Sequence, residues 1–313
     1  MRLIALGHVV LDHLLLVESH PSCDTKNIAL RGRECIGGPV ARAALTAAAL
    51  GVETALAGCL GDDEAGRQVR DELQAAGVES SGLRLMAGHA TPRASIWVEA
   101  RGGRRTVVLD RGGLPDCPAD ALERLPWGPG LLLLDGKEPV WPEAARRARE
   151  AGMELLLDLG GPREDPWPLL AAAQVAVVSK AFVMHALPGA DLLAAARRLA
   201  EQGPRLAVIT LGAGGVVVCE REGGRPSAPA GTPYWFPAWN PGKVVDTTGA
   251  GDVYHGALAW ALLQGWETRR ALACAAVAGG LACLDLGGEV AGLSPELLLE
   301  RVAAAGDLAA LGA

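Results

Sequence analysis

The chain has 313 residues, 50% of them apolar, with a formal net charge of -7. That length is enough for one large core, and the composition is that of a packed globular chain rather than a disordered one. The negative balance argues against a broad nucleic-acid surface. The seven cysteines form no CxxC pair and no metal-ligand cluster, which predicts free thiols and a cytoplasmic location. No apolar run reaches the roughly 18 residues of a membrane span, so no membrane partner is expected.

The chain opens with Leu3 to Leu6, an apolar run ending at Gly7. Asp12 and His13 interrupt the apolar stretch that follows, so the start reads as a first strand and turn rather than a secretory signal. Two readings stand for Asp12: a ligand contact on a loop at a strand end, or an exposed turn residue. Residues 14–36 alternate loosely and predict short strands outside the main core, broken by a loop at Pro21 and Ser22. Arg93–Glu99 and Arg105–Leu109 are the other strands expected in that small sheet. A small sheet with one apolar face needs a partner surface. Lys26 falls on this sheet by the same reading, as a solvated lysine or a ligand contact.

Gly37 and Gly38 permit a close turn, and Pro39 suits a first helical turn. Ala41, Ala44, Ala48 and Leu50 then read as a packed helix, with Arg42 among them pointing to solvent or to a ligand. Val52–Ala57 predict a strand, and Asp62, Asp63 and Glu64 enrich the first turn of a helix running to about Ala76. From residue 118 the pattern repeats. Helices are expected at 118–125, 142–151 and 192–202, and strands at 131–134, 154–157, 175–178 and 206–210. Short apolar strands separated by helices predict a mostly parallel, helix-covered sheet, an α/β architecture. Ligands in such sheets gather at the carboxyl ends of the strands. Gly7, Asp135, Asp158, Ser179, Thr210 and Asp246 all fall near such ends. Lys137 has two readings, an anion contact or a surface pair with Glu138.

Thr210, Gly212 and Gly215 follow a strand and suit close backbone approach to phosphates, or equally a hairpin into Val216–Cys219. No P-loop pattern exists. Residues 220–242 are rich in Gly, Pro and aromatics; Tyr234, Trp235, Phe236 and Trp239 read most simply as cover for the sheet edge. Helices are expected at 250–263, 268–285 and 295–305. No internal repeat and no long linker is present, so 1–313 reads as one domain.

The most informative stretch is DTTGAGD, Asp246 to Asp252. Gly249, Ala250 and Gly251 strip the turn of large side chains, and a helix begins at once. Converging N–H groups at a helix start make a concavity for an anion. Asp252 at its rim is poorly placed to bind phosphate. It is well placed to take a proton from an attacking hydroxyl, or else it merely caps the helix.

DTTGAGD resembles the C-terminal signature of the ribokinase-like, or PfkB, carbohydrate kinase family. The resemblance implies a three-layer α/β/α fold with a small β-sheet lid over a sugar, often also a dimer contact, from strands within 14–36 and 93–109. It implies an ATP-dependent kinase with Asp252 as catalytic base and Gly249, Ala250 and Gly251 as anion hole. Gly7 and Asp12 match the family's sugar-binding start, and Gly37 and Gly38 its paired glycines, while Arg42 replaces a common asparagine. Thr210, Gly212 and Gly215 match its nucleotide-phosphate loop, and Ser179 holds a nucleotide-side position. Ser179 and Phe182 depart from the family's N-x-x-E, so magnesium must rest mainly on ATP phosphates and water, with Asp158 or Asp135 as further candidates. Ala278 and Ala282 are small enough to admit adenine, or are simply helix packing. A monovalent cation, K+, is implied near Asp246 and Gly288 by parts of the family. GHVVLD, the GGP start and DTTGAGDVYHGAL also resemble the branch that includes sulfofructose kinase. That likeness implies an acidic substituent on the sugar, met by Lys26, Arg111 and Lys137. The alternatives are a nucleoside kinase and a noncatalytic sugar or nucleotide sensor, the latter encouraged by Ser179 and Phe182.

Overall fold

Alternation along the short apolar strands sets the architecture. In β1 (Arg2–Leu6), Leu3 and Ala5 face one core while Ile4 and Leu6 face another. A strand apolar on both faces belongs inside a sheet covered on both sides. The structure, a computed structural model, describes residues 1–224 and 228–306. The expected domain's last residues, 307–313, and residues 225–227 of the 220–242 stretch lie outside the described residues.

After β1 the chain forms β2 (Val10–Val17), β3 (Arg31–Gly37), α1 (Pro39–Ala49), β4 (Glu53–Gly61), α2 (Glu64–Ala75) and β5 (Val78–Met86). β6 (Arg93–Glu99) and β7 (Arg105–Asp110) follow, then α3 (Asp120–Glu123), β8 (Gly130–Leu134), α4 (Trp141–Glu150) and β9 (Met153–Leu159). Next come α5 (Trp167–Ala172), β10 (Val175–Ser179), α6 (Lys180–Ala186), α7 (Leu192–Glu201) and β11 (Leu206–Thr210). β12 (Val216–Glu220), β13 (Tyr234–Phe236), α8 (Ala250–Leu263), α9 (Thr268–Ala282) and α10 (Pro295–Ala304) complete the chain.

The main sheet has nine strands in the order β13-β12-β11-β10-β9-β8-β1-β4-β5. The strands from β5 to β11 are parallel, and β12 and β13 extend the sheet antiparallel. One core holds residues of α1, α2, α8, α9 and α10; the other holds residues of α3 to α7. The fold is therefore the expected α/β arrangement, a mostly parallel sheet covered by helices on both faces, with a small second sheet ordered β3-β2-β6-β7. β1 pairs with β4 on one side and β8 on the other. The strand order reverses there, which opens a crevice at the carboxyl ends of β1 and β8.

Two expectations need correction, and two strands were not foreseen. Asp12 is in neither a loop nor an exposed turn: β2 begins at Val10, and Asp12 is buried within it, paired with Cys35 of β3 and Ala94 of β6. Lys26 is not on a lid strand but on the exposed connection between β2 and β3. β5 escapes the sequence because Glu79, Ser80 and Ser81 break its apolar pattern on a sheet edge. The aromatic stretch contains a strand, β13, whose Phe236 is buried against the sheet.

Candidate active site

The turn before α8 holds itself in shape. Oδ1 of Asp246 accepts from the Thr248 N–H (2.8 Å) and hydroxyl (2.7 Å), and Oδ2 accepts from the Gly287 N–H (2.9 Å). Gly249 then takes the left-handed conformation at φ 75° and starts the helix. A side chain there would be strained and would also meet Arg42. At Gly251 a Cβ would meet open space, so this side of the turn faces the crevice. The first N–H groups of α8 lack intrahelical partners there and can receive an anion, although that of Ala250 makes a long bond, 3.4 Å, to the Thr247 carbonyl. Asp252, with its side chain 25% exposed, stands beside them.

Asp12 reaches the same point from the lid. Gly37 lies against its carboxyl group, where any Cβ would collide, so Gly37 makes room for Asp12, while Gly38 lies against the His8 carbonyl. Arg42 of α1 lies between the two carboxylates. Its Nη2 is 3.4 Å from Asp12 Oδ2, and its Nε is 3.9 Å from Asp252 Oδ2. Burial pushes the Asp12 carboxyl up to about 6; Arg42 opposes the shift, and the Asp252 charge adds to it.

A second group gathers at the end of β1. Asp135 accepts from the N–H groups of His8 and Lys137, each at 3.0 Å, so it anchors the crevice wall. His8 Nε2 lies 3.8 Å from Glu138. Burial lowers the His8 pKa; Asp135 opposes this, and the charges of Lys137 and Arg111 add to it. Lys137 and Arg111 are both exposed, and their charges reach His8. Glu138 is buried, which removes the expected surface pair with Lys137. No contact places Lys26 with them among the described residues.

The lid hairpin grips the turn as well. Arg105 Nη1 donates to Thr247 Oγ1 (2.8 Å), and the Thr247 hydroxyl donates to the Gly103 carbonyl (3.1 Å). An acidic residue of the small sheet, a second carboxylate at a helix N-terminus, and N–H donors at that same terminus suit phosphoryl transfer to an alcohol.

Residues 2–292 match the model of the pfkB family of carbohydrate kinases. The chain belongs to that family. The kinase is 32% identical over 268 residues to the aminoimidazole riboside kinase of Salmonella typhimurium, covering 80% of this chain and 81% of that one. It is 25% identical over 298 residues to the ketohexokinase of Mus musculus, covering 90% and 96% of the two chains. The ribokinase of Arabidopsis thaliana, solved with ribose and ATP, superposes with a TM-score of 0.78 at 22% identity, over 96% of this chain and 98% of that one.

Other expected positions divide. Thr210 ends β11, and its hydroxyl donates to the Val178 carbonyl at 3.3 Å. Gly212 opens a turn with free space around it, whereas Gly215 backs onto Phe236 and shapes the hairpin. Ala278 and Ala282 have 0% exposure and pack inside the helical core. They offer no face to an adenine ring; small residues served helix packing here. Asp246, expected with Gly288 near a monovalent cation, is fully buried. N–H and O–H donors point at both Asp246 oxygens, and Gly288 sits against the Thr248 carbonyl. They tie the turn to the 287–288 loop. Among the described residues no group of three or more His, Cys, Asp or Glu side chains is arranged to hold a metal.

Ser179 caps α6: it accepts from the Phe182 N–H and donates to the Gly160 carbonyl, each at 3.0 Å. Phe182 is 0% exposed in the core, which explains the absence of a carboxylate there. Ser179→Ala is expected to cost about 1 kcal/mol of stability, read from a urea midpoint, with ATP affinity unchanged. Weaker ATP binding at unchanged stability would instead make Ser179 a nucleotide contact.

Sequence reasoning missed His255. Its Nδ1 lies 2.7 Å from the Gly251 carbonyl, and its Nε2 3.6 Å from Asp158. Burial, chiefly, raises the Asp158 pKa, with His255 opposing it. The available signal was spacing: His255 follows Gly251 by one helical turn.

Proposed function

We propose that the kinase transfers the γ-phosphate of ATP to a primary hydroxyl of a small sugar or acidic sugar derivative. The observation that carries this reading is the convergence of Asp12 of the small sheet and Asp252 of α8 on one guanidinium, that of Arg42, beside the open Gly251 turn. Asp12 accepts hydrogen bonds from the acceptor's hydroxyls. Asp252 takes the proton of the attacking hydroxyl as its bond to phosphorus forms. The N–H groups of Gly249, Ala250 and Gly251 face the charge that develops on the moving phosphoryl group. Mg2+ would enter on the nucleotide phosphates and neutralise their charge; Phe182 offers it no ligand. Thr210 and Gly212 lie where a nucleotide phosphate can approach backbone. The exposed pair Lys137 and Arg111 favours an anionic acceptor.

An ATP-dependent ADP-release screen across ketoses, aldoses, acidic sugars and nucleosides tests the reading. Turnover of acidic sugars above neutral ones supports it. A preference for nucleosides supports the second reading, which the name of the Salmonella relative favours. Saturable binding without ADP formation would make the chain a sensor.

A homodimer through the lid is part of the same proposal. Val107, Val108 and Leu109 on edge strand β7 are 49%, 55% and 41% exposed, an apolar edge that invites pairing. Val108→Lys is expected to shift the sedimenting species from dimer toward monomer; an unchanged mass would remove this interface. All seven cysteines are free, which fits a reducing cytoplasm. No described helix is long and apolar enough to cross a membrane.

A further inference from the structure

Arg42 stands alone on an alanine-rich helix. Its neighbours Ala41, Ala43 and Ala44 are 0% exposed, and its own side chain is only 6% exposed. A charge taken that far from water is costly unless its N–H groups are satisfied. The guanidinium meets four different segments. Nη1 donates to the Gly287 carbonyl. Nη2 reaches Asp12 Oδ2 of β2 and Cys35 Sγ of β3, each at 3.4 Å. Nε faces Asp252 Oδ2 of α8 at 3.9 Å. The aliphatic stem runs beside Gly249, which has no room for a side chain because Arg42 fills it.

We propose that Arg42 is a positioning residue that fixes Asp12 and Asp252 relative to each other and fastens both to the 287–288 loop. The inference rests on the kinase reading above. A planar fork spreads its donors widely enough to address a carbonyl and two carboxylates on separate segments; an ammonium carries its three donors on one atom. The charge balance also needs it. Asp12 feels Asp252 and Asp246 as like charges, with Arg42 as the opposing cation and Cys35 beside it. Without Arg42, the acidic residues repel and the lid residue loses its fixed distance to the base.

The test compares Arg42→Met and Arg42→Lys with the full-length wild type, using the acceptor found in the screen. kcat, KM for acceptor, KM for ATP and the pH profile are measured for each. For Arg42→Met, kcat/KM for the acceptor should fall about 100-fold, with KM for ATP nearly unchanged. The acid limb is expected where Asp12, pushed up to about 6 by burial, ionises, and it should move to higher pH when the Arg42 cation is removed. Millimolar guanidinium should restore part of the rate. Arg42→Lys should keep the limb in place and lose about tenfold in kcat/KM. Wild-type acceptor kinetics in either variant would overturn the proposal. So would a drop in stability with no movement of the limb in Arg42→Met. Should the methionine variant not fold, the lysine variant alone decides: reduced kcat/KM with an unmoved limb supports the role. Asp252→Asn is run alongside. Full turnover there removes the kinase mechanism itself, whereas an inactive Asp252→Asn with a wild-type Arg42→Met removes only the positioning role.

Discussion

Asp252→Asn is expected to lower kcat by about 1,000-fold, roughly 4 kcal/mol of barrier at about 1.4 kcal/mol per factor of ten. The amide keeps the volume and cannot take up the hydroxyl proton. The fold should hold, because Arg42 Nε is 3.9 Å away and forms no hydrogen bond that the change would break. KM for ATP should stay or fall, since a negative charge near the phosphates is removed. A single-turnover measurement with saturating ATP and acceptor separates the chemical step from binding. Comparable turnover in both proteins would take the proton acceptor out of this mechanism.

Gly256→Val is expected to destabilise the protein by at least about 3 kcal/mol. Gly256 lies where α8 crosses α1, and any Cβ would collide with the Ala43 carbonyl and the Thr46 side chain. Replacing a helical glycine usually helps by about 1 kcal/mol. Here the clash wins, because a backbone oxygen cannot move aside as a flexible side chain does. A lower denaturant midpoint at unchanged slope checks it. A midpoint equal to wild type would mean that the two helices separate freely. Because α1 bears Arg42 and α8 bears Asp252, activity should fall with stability in this variant.

The sequence made the strands and crossovers legible where apolar runs were short, unbroken and bounded by polar residues. β8 (Gly130–Leu134) and β11 (Leu206–Thr210) are such cases. It failed at β2, where Asp12 and His13 look like a turn. Their polarity is tolerated in a strand because Gly37 leaves space for Asp12 and His13 points outward. The turn at 246–252 was legible because every part of it is contiguous. Arg42 with Gly287, and His255 with Asp158, were not. These contacts join residues far apart in the chain, and nothing local announces the partner. Ala278 and Ala282 misled for the opposite reason: a small side chain suits a ligand face and a helix crossing equally well.

Thr247 adds one consequence. Its hydroxyl is shared between Gly103 and Arg105 at the tip of the β6–β7 hairpin, one residue after Asp246. Swinging that flap outward must break or drag those bonds, and the drag arrives at the helix start two residues later. Under the proposed kinase reading, an acceptor beneath the flap would be felt at the turn that faces the phosphate. Such coupling is reciprocal, so acceptor and ATP should change each other's affinity by the same factor.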